Sequence, residues 1–292
     1  MIFLDHLING LSLGSIYAII ALGYTMVYGI AKMLNFAHGD VIMVGAYIAF
    51  CGLQYWGVPP LLAILLAMVV CTVLGITIEG LAYRPLRQAT SLAVLITAIG
   101  MSYLLQNIAL MIWGANPKSF PTTFINGSVL HQGQLNLSSA TLITILVSVV
   151  IMIGLTLFTS QSKIGKAMRC VSEDRGAAEL MGINVNRTIS ITFAIGSALA
   201  AIAGVLLCSS YPILQPTTGS MPGIKAFTAA VFGGIGSIPG AMLGGILLGV
   251  IEIFGKAYIS TELGDAIVFA VLIIVLLVKP AGLLGKPMRE KV

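Results

Sequence analysis

Charged residues are scarce in this chain. Asp, Glu, Lys and Arg together make up 9% of its 292 residues, whereas about a quarter is ordinary for a soluble domain. Apolar residues make up 58%, and the mean hydropathy is +1.03. A soluble fold of this length cannot bury that much apolar surface, so the solvent must include a lipid bilayer. The sequence therefore predicts one polytopic membrane domain over residues 1–292.

Motifs that define several other functions are also missing. No GxxxxGK[ST] sequence is present, so we expect no ATP hydrolysis by this chain itself. No TVGYG filter and no series of Arg within a span is present, which argues against a potassium channel and a voltage sensor. The three His residues are far apart without a nucleophile–base motif, so we expect no enzyme activity and no cofactor. A metal site or disulfide framework is not expected, because the four Cys residues are scattered: Cys51, Cys71, Cys170 and Cys208.

Apolar runs predict an all-α bundle of eight or nine membrane spans, some of them short or broken. A span needs about 20 mostly apolar residues. Full spans are expected within 7–29, 60–83, 92–113, 141–158, 189–209 and 265–278. A short span over 41–53 follows a polar break. The Gly-rich stretch 223–255 is interrupted at Gly236–Gly240 and is interpreted as a short segment, a break and a full span. The count depends on whether the short segment crosses.

The distribution of basic residues predicts the orientation of the spans. Basic residues follow the third span at Arg84 and Arg87, the fifth span within 163–187, and the last span within 279–291. Lys and Arg are enriched in cytoplasmic loops, so we expect these three regions and the C-terminus to be cytoplasmic. The same rule explains the net charge of +5 without nucleic acid. The loop 114–139 carries a single charge, Lys118, and is expected outside.

One loop holds an unusual group of charges. Five basic and three acidic residues lie between Lys163 and Arg187. The pattern predicts one short amphipathic helix over 165–179, followed by a turn at Gly182. Its apolar face lacks bulky aromatic residues and carries Ala, Met and Gly, which favours a protein partner over a helix on the lipid surface. Within this loop, 161–188, we expect the docking residues to be Gly165, Arg169, Glu173, Asp174, Ala178 and Gly182.

Two breaks in apolar runs are candidates for a translocation path. Pro239 cannot continue a helix, and the backbone groups that it frees must be satisfied by protein or by a water-lined cavity. Such broken helices line substrate paths in transporters, which makes Gly234, Gly236 and Pro239 candidates. The other break contains Asn35, His38 and Asp40. Two interpretations of it remain open.

In the first interpretation of this break, Asp40 caps the second span and the segment is a tight cytoplasmic turn. In the second, the turn dips inward and Asn35, His38 and Asp40 line or gate the path. Elsewhere we expect Glu79 to pair with Arg84, and Glu252 to form a helix-surface pair with Lys256 four residues later. The pair Gln106–Asn107 faces either the lumen or a neighbouring helix.

Several segments together resemble a known family. Residues 9–18 and 23–29 are similar to the first span of the inner-membrane permeases of ATP-binding-cassette importers for branched-chain amino acids, of the LivH type. Residues 35–40 resemble its characteristic turn, and 225–241 resemble its most distinctive segment. Residues 279–285 resemble its C-terminal end, and Glu173, Asp174 and Gly182 correspond to its cytoplasmic coupling loop. The stretch 211–216 lacks a Gly that the family pattern has.

The resemblance implies a complex in the bacterial inner membrane. The family pairs such a permease with a homologous second permease, two cytoplasmic ATP-binding subunits and a periplasmic substrate-binding protein. It implies that the ATPases bind the ATP, dock on the charged loop and drive alternating access for Leu, Ile or Val. Relatives carry urea, amides or other neutral amino acids, so another small neutral solute is an alternative. A passive facilitator or channel is the alternative from a different class.

Overall fold

In this computed structural model, the described residues are 2–121, 128–132 and 135–285. They form the predicted all-α bundle. Four short strands, which were not predicted, lie in its connecting loops. The helices are α1 (Ile2–Ala31), α2 (His38–Gln54), α3 (Pro60–Ile78), α4 (Ser91–Trp113), α5 (Ser139–Gln161), α6 (Lys163–Glu173), α7 (Arg175–Leu180), α8 (Val185–Ser210), α9 (Ser220–Gly233), α10 (Ile238–Tyr258) and α11 (Gly264–Val278). A π-helical turn (Glu79–Tyr83) continues α3, and the strands are β1 (Lys118–Ser119), β2 (Ser128–Gln132), β3 (Leu135–Ser138) and β4 (Ile213–Leu214).

Six of these helices are long and apolar enough to cross a bilayer, considering the described residues only: α1, α3 with its π turn, α4, α5, α8 and α10. Three further helices of the bundle are shorter, with 17 residues in α2, 14 in α9 and 15 in α11. The total agrees with the predicted eight or nine spans. The short segment before Pro239 is α9.

Helix α1 lies at the centre of the bundle. In the most apolar window of each helix, 94% of α1 is buried, against 17% of α4 and of α5. The outer faces of α3, α4 and α5 are therefore largely exposed in this chain, and many of their exposed side chains are large and apolar. Small residues allow α10 to approach α1 closely: a Cβ on Gly14 would lie 2.7 Å from the Cα of Ile246. Lipid supplies no hydrophobic drive for helix association. Close packing of this kind therefore contributes much of the free energy that holds the helices together.

The bundle has two distinct ends. At one end the Arg175 side chain of α7 donates to the carbonyl of Ala31, the last residue of α1. The C-terminal segment after α11 reaches the same end, where the Leu283 N–H donates to the Phe232 carbonyl at 2.9 Å. We name this the α6 end, after the helix that packs there. At the opposite end β1 pairs antiparallel with β4.

Helices α2 and α9 both begin inside the bundle. His38, the first residue of α2, lies against Gly23 of α1, where a Cβ would be 2.5 Å from its Nε2 atom. Gly23 is eight residues before Ala31, so α2 starts about 12 Å along α1 from the α6 end. The start of α9 meets the start of α2, because a Cβ on Gly39 would lie 2.7 Å from the Gly219 carbonyl oxygen.

Candidate functional site

The segment that connects α1 to α2 turns back into the bundle. Lys32 has φ of +53°, which reverses the chain directly after α1. Asn35 is buried, and its Oδ1 accepts a hydrogen bond from the Tyr83 hydroxyl at 2.9 Å. That bond satisfies a polar side chain in a region where water is scarce. The geometry agrees with a turn that dips inward.

Of the two interpretations of this break, the one in which Asp40 caps α2 is wrong. The N-cap residue is Ala37, which offers no side-chain cap, and Asp40 lies within the first turn. The carboxylate instead crosses to α4, where Gln106 Nε2 donates to Asp40 Oδ1 at 2.8 Å. The side chain turns away because α2 begins inside the bundle, where a polar partner on a neighbouring helix is available. Gln106 thus contacts a neighbouring helix, and its neighbour Asn107 bonds its own helix at the Tyr103 carbonyl, 2.7 Å.

His38 is fully covered yet only partly satisfied. Its ring contacts the Tyr24 ring edge-to-face, with 4.6 Å between centroids. Its Nε2 atom is buried without a hydrogen-bond partner. A small cavity lies beside it, bordered mainly by Tyr24, Tyr28, Asn35, His38 and Phe227. An incompletely hydrogen-bonded buried histidine therefore lies next to a small cavity.

The second break joins α9 to α10 at the α6 end. Gly234 follows α9 with φ of +107°, and Gly236 has φ of +91°, conformations that side chains with a Cβ rarely adopt. Pro239 lies in the first turn of α10, where a missing N–H leaves no hydrogen bond unmade. The freed carbonyls at the end of α9 accept from the C-terminal segment, including a 2.9 Å bond from Leu284 N to Gly233 O. Gly236 lies beside Gly29 of α1.

The charged loop forms two helices rather than the single predicted helix over 165–179. The chain becomes extended at Asp174, with φ of −153°, which ends α6. The Asp174 carboxylate then caps α7, accepting from the Ala177 N–H at 3.1 Å. Asp favours this role because its side chain satisfies an N–H that the helix leaves free. The predicted turn is present: Gly182, with φ of +80°, follows α7.

The expected docking residues divide into buried anchors and exposed charges. Gly165 is buried at the corner between α5 and α6, where a Cβ would lie 2.5 Å from the Cα of Thr159. Ala178 is buried and anchors α7. Arg169 and Glu173 are exposed, and Arg169 Nη2 donates to the Ser160 carbonyl at 2.9 Å. The two helices therefore pack on the bundle through Ala178 and Gly165 together with the buried apolar side chains of Met168 and Val171, and they present charges to solvent.

Two bulky apolar residues of this loop were missed by the sequence reasoning. Leu180 and Met181, at the end of α7, are 91% and 82% exposed. Their signal was a Leu–Met pair directly before the Gly182 turn. A large apolar side chain that protrudes beside charges is a feature of surfaces that bind a partner.

Of the two expected ion pairs, Glu79–Arg84 is wrong, whereas Glu252–Lys256 is present but is not a surface pair. Glu79 pairs with Arg87, which the turn after α3 brings back, and its Oε2 accepts from Ser190 of α8 at 2.6 Å. Arg84 is exposed. Glu252 does bond Lys256, at 2.5 Å, but it is buried with 1% exposure and is no surface pair. Apolar runs alone did not indicate that α10 is covered on this side by α1 and α9.

The described residues contain no group of three or more His, Cys, Asp or Glu side chains arranged to hold a metal ion. Their geometry combines a bundle of membrane-length helices, two breaks and an exposed charged loop at one end. These features define a polytopic membrane protein.

Comparison with known proteins gives its family. A family described as "Branched-chain amino acid transport system / permease component" matches residues 6–276. The chain belongs to this family of permease components. It is 47% identical to the high-affinity branched-chain amino acid transport system permease protein BraD of Pseudomonas aeruginosa, covering 99% of this chain and 98% of BraD. It is equally similar, 47% with the same coverage, to LivH of Escherichia coli K12.

A solved structure has a related fold. The structure of PsaBC from Streptococcus pneumoniae in complex with Fab aligns over 96% of this chain and 93% of the matched chain, with a TM-score of 0.51. The sequence identity is 16%, so this likeness concerns the fold alone.

Proposed function

We propose that this chain is one of two permease subunits of an ATP-driven importer for branched-chain amino acids, and that it forms part of the translocation path. The observation that carries the proposal is the near full-length similarity, at 47% identity, to two high-affinity branched-chain amino acid permeases. The proposed partners are a homologous second permease, two ATP-binding subunits that bind the ATP, and a periplasmic substrate-binding protein.

The proposed location of the protein is the bacterial inner membrane, with the α6 end and the C-terminus in the cytoplasm. Basic residues support this orientation because cytoplasmic loops are enriched in Lys and Arg. Residues at the α6 end include Arg84, Arg87, Lys163, Lys166, Arg169, Arg175 and Lys279. At the opposite end, β1 contains Lys118.

The loop 161–188 is proposed as the coupling element, within a single permease domain over 1–292. Exposed Leu180 and Met181 suit a hydrophobic groove on an ATP-binding subunit, and Glu173 suits its charged rim. Arg175 connects the same element to the end of α1. When bound nucleotide changes how the ATPases bind this element, it shifts the equilibrium between two conformations of the bundle.

The proposed path runs past the two breaks, near Asn35, His38, Asp40, Gly234, Gly236 and Pro239. Support comes from the helix starts inside the bundle and from the cavity beside His38. Apolar contacts discriminate between neighbouring aliphatic side chains by only about 1–3 kcal/mol per methylene. We therefore assign most of the selectivity among Leu, Ile and Val to the binding protein.

The test is leucine uptake into vesicles that contain the complete importer, with and without ATP, and with urea, amides and other amino acids as competitors. We expect uptake that requires ATP and the binding protein, with competition by Ile and Val. Uptake without nucleotide indicates a passive facilitator and contradicts the proposal. Preferential competition by urea or an amide would contradict the proposal that branched-chain amino acids are the substrate.

A separate variant tests the coupling element. Leu180→Asp with Met181→Asp should release the ATP-binding subunits from the purified complex and abolish uptake, because both side chains are exposed in this chain and their loss leaves its fold intact. The control is Gln88→Asp, an exposed residue at the same end but outside the element. Co-purification of the ATPases at the normal level with the double variant rejects the docking assignment.

A further inference from the structure

Asp40 is a buried acid without a positive partner. Three acidic side chains are buried in the described chain, each with 1% exposure: Asp40, Glu79 and Glu252. Glu79 pairs with Arg87, and Glu252 pairs with Lys225 and Lys256. Among the described residues no cation lies within ion-pair distance of Asp40. Buried charges are ordinarily paired, so this carboxylate needs an explanation.

In the part of the chain that the structure describes, Asp40 is hydrogen-bonded by neutral groups only, namely the Gln106 amide, the Ser102 hydroxyl and its own backbone N–H. The Gln106 amide is itself shared with other groups. Gln106 Nε2 lies 2.8 Å from Asp40 Oδ1, and also 3.2 Å from Ser220 Oγ and 3.3 Å from Ser102 Oγ. An amide nitrogen has two hydrogens for these three acceptors. Gln106 is therefore an adaptable donor that can leave Asp40 and keep the two hydroxyl groups as partners.

The cluster stands where three helices converge. Asp40 is in the first turn of α2, Ser220 is the first residue of α9, and Gln106 lies on α4. The positive end of α2 carries about half an elementary charge, which offsets part of the charge of Asp40 but not all of it. An approaching cation finds here a carboxylate that is already desolvated and oriented.

We propose that Asp40 is the counter-ion for the α-ammonium group of an amino acid in transit, and that the Gln106 amide occupies this position when no substrate is present. The inference rests on the proposed import of amino acids and adds the group that recognises them. A cationic donor makes a stronger hydrogen bond to a carboxylate than a neutral amide does, so the substrate can displace Gln106. Gln106 then turns to Ser102 and Ser220.

The surroundings suit the rest of a branched-chain amino acid. On the α6 side of Asp40 the aromatic rings of Tyr24 and Phe36 lie against Phe227, both with centroids 5.7 Å apart from it. His38, whose Nε2 atom is unpaired, is one of the residues that line the cavity beside these rings. An aliphatic side chain thus meets aromatic surface one step further along the path. A neutral solute such as urea lacks the charge that this site selects.

The experiment compares two isolated changes to one hydrogen bond in the complete reconstituted importer. Asp40→Asn keeps the size and the acceptor for Gln106 but removes the charge. Gln106→Leu removes the same hydrogen bond but keeps the carboxylate. We expect leucine uptake per ATP hydrolysed to fall at least about tenfold in Asp40→Asn, and clearly less in Gln106→Leu, since a hydrogen bond to a charged group exceeds a neutral one. Equal losses in the two variants would mean a structural role and overturn the inference.

A direct probe separates binding from turnover. A diazirine analogue of leucine that keeps the amino group is photolysed during ATP-driven transport, and labelled permease peptides are quantified. We expect labels in α2, α4 or α9 of the wild type and their loss in Asp40→Asn, with partial recovery in Asp40→Glu. Undiminished labelling of Asp40→Asn overturns the inference.

If Asp40→Asn does not assemble, photolabelling of Asp40→Glu is compared with that of the wild type. Labelling at shifted positions in Asp40→Glu supports the site, and labelling at identical positions overturns it. Failure of the proposed function has a different signature, namely wild-type uptake that does not need ATP or does not involve leucine.

Discussion

Lys225 of α9 and Glu252 of α10 form a buried ion pair, with 2.7 Å between Nζ and Oε1 and side chains that are 7% and 1% exposed. The Tyr17 hydroxyl of α1 donates to the other carboxylate oxygen at 2.9 Å. Lys225 also contacts Asp265 at the start of α11, at 2.5 Å. Four helices are thus held by one charge network near the end opposite α6. Such a network costs desolvation, and its members depend on each other.

Removing the central acid of this network should destabilise the protein strongly. Glu252→Gln leaves Lys225 buried with Asp265 as its only described acidic partner, and breaking a buried pair in this way costs about 3–5 kcal/mol. Lys256→Met is the control, because Lys256 is 33% exposed and such pairs contribute about 0–1 kcal/mol. Unfolding of the detergent-solubilised protein measures both. Equal losses would contradict a buried network centred on Glu252.

The contact between α1 and α10 predicts a position-specific effect of adding one methyl group. A Cβ on Gly249 would fall on the backbone of Gly14, whereas a Cβ on Gly154 of α5 meets nothing within 4 Å. Gly249→Ala should therefore lower the free energy of unfolding by about 1–3 kcal/mol through overpacking. Gly154→Ala should leave it unchanged or raise it slightly, because Ala favours the helix. A comparable loss in Gly154→Ala would refute the packing argument.

At the break after α9, two glycines allow the cost of backbone strain to be measured separately from the cost of a steric contact. A Cβ on Gly236 would meet nothing within 4 Å, so Gly236→Ala should cost only the strain of its positive φ, about 1–2 kcal/mol. Gly234 has the same kind of φ, and its Cβ would also lie 2.6 Å from the Cα of Gly285. Gly234→Ala should therefore lose more stability, and Gly234→Leu should also block leucine uptake. Thermal unfolding and vesicle uptake measure the two effects, and an equal cost at both glycines would contradict the contact with Gly285.

The sequence predicted what local chemistry determines. Apolar runs located the membrane helices, Pro239 located the break before α10, and Gly182 located the turn after α7. Each of these depends on the residue itself and its immediate neighbours. The family also followed from local segments, because long stretches of motif carry it.

The partners of buried polar residues could not be predicted in the same way. Asp40 bonds Gln106 across 66 positions of sequence, and Lys225 bonds Glu252 across 27. No spacing rule reaches that far, so the sequence reasoning paired Glu252 only with its neighbour one helical turn away. The useful signal was the presence of Lys225 itself, a charged residue in a short apolar helix, which implies a buried partner.

Arg175 offers the most direct test of how the coupling element acts on the path. It lies in α7, and its guanidinium donates to the Ala31 carbonyl, one residue before the reversal at Lys32 that leads into the bundle. Burial, and to a lesser extent the nearby Arg87, lowers the pKa of Arg175, although an arginine stays charged in proteins. In the proposed mechanism, this contact would carry a movement of α7 to the start of the turn that holds Asn35.

Arg175→Met should uncouple the importer while leaving it assembled. A hydrogen bond from a charged donor contributes about 1.5–3 kcal/mol, so we expect leucine uptake per ATP hydrolysed to fall by about tenfold or more. ATP hydrolysis itself should change little, because the exposed docking side chains remain in place. Arg187→Met, an exposed arginine at the start of α8, is the matched control and should keep normal coupling. If Arg175→Met lost the ATP-binding subunits, or coupled as well as Arg187→Met, the link from α7 through Ala31 to the path would be wrong.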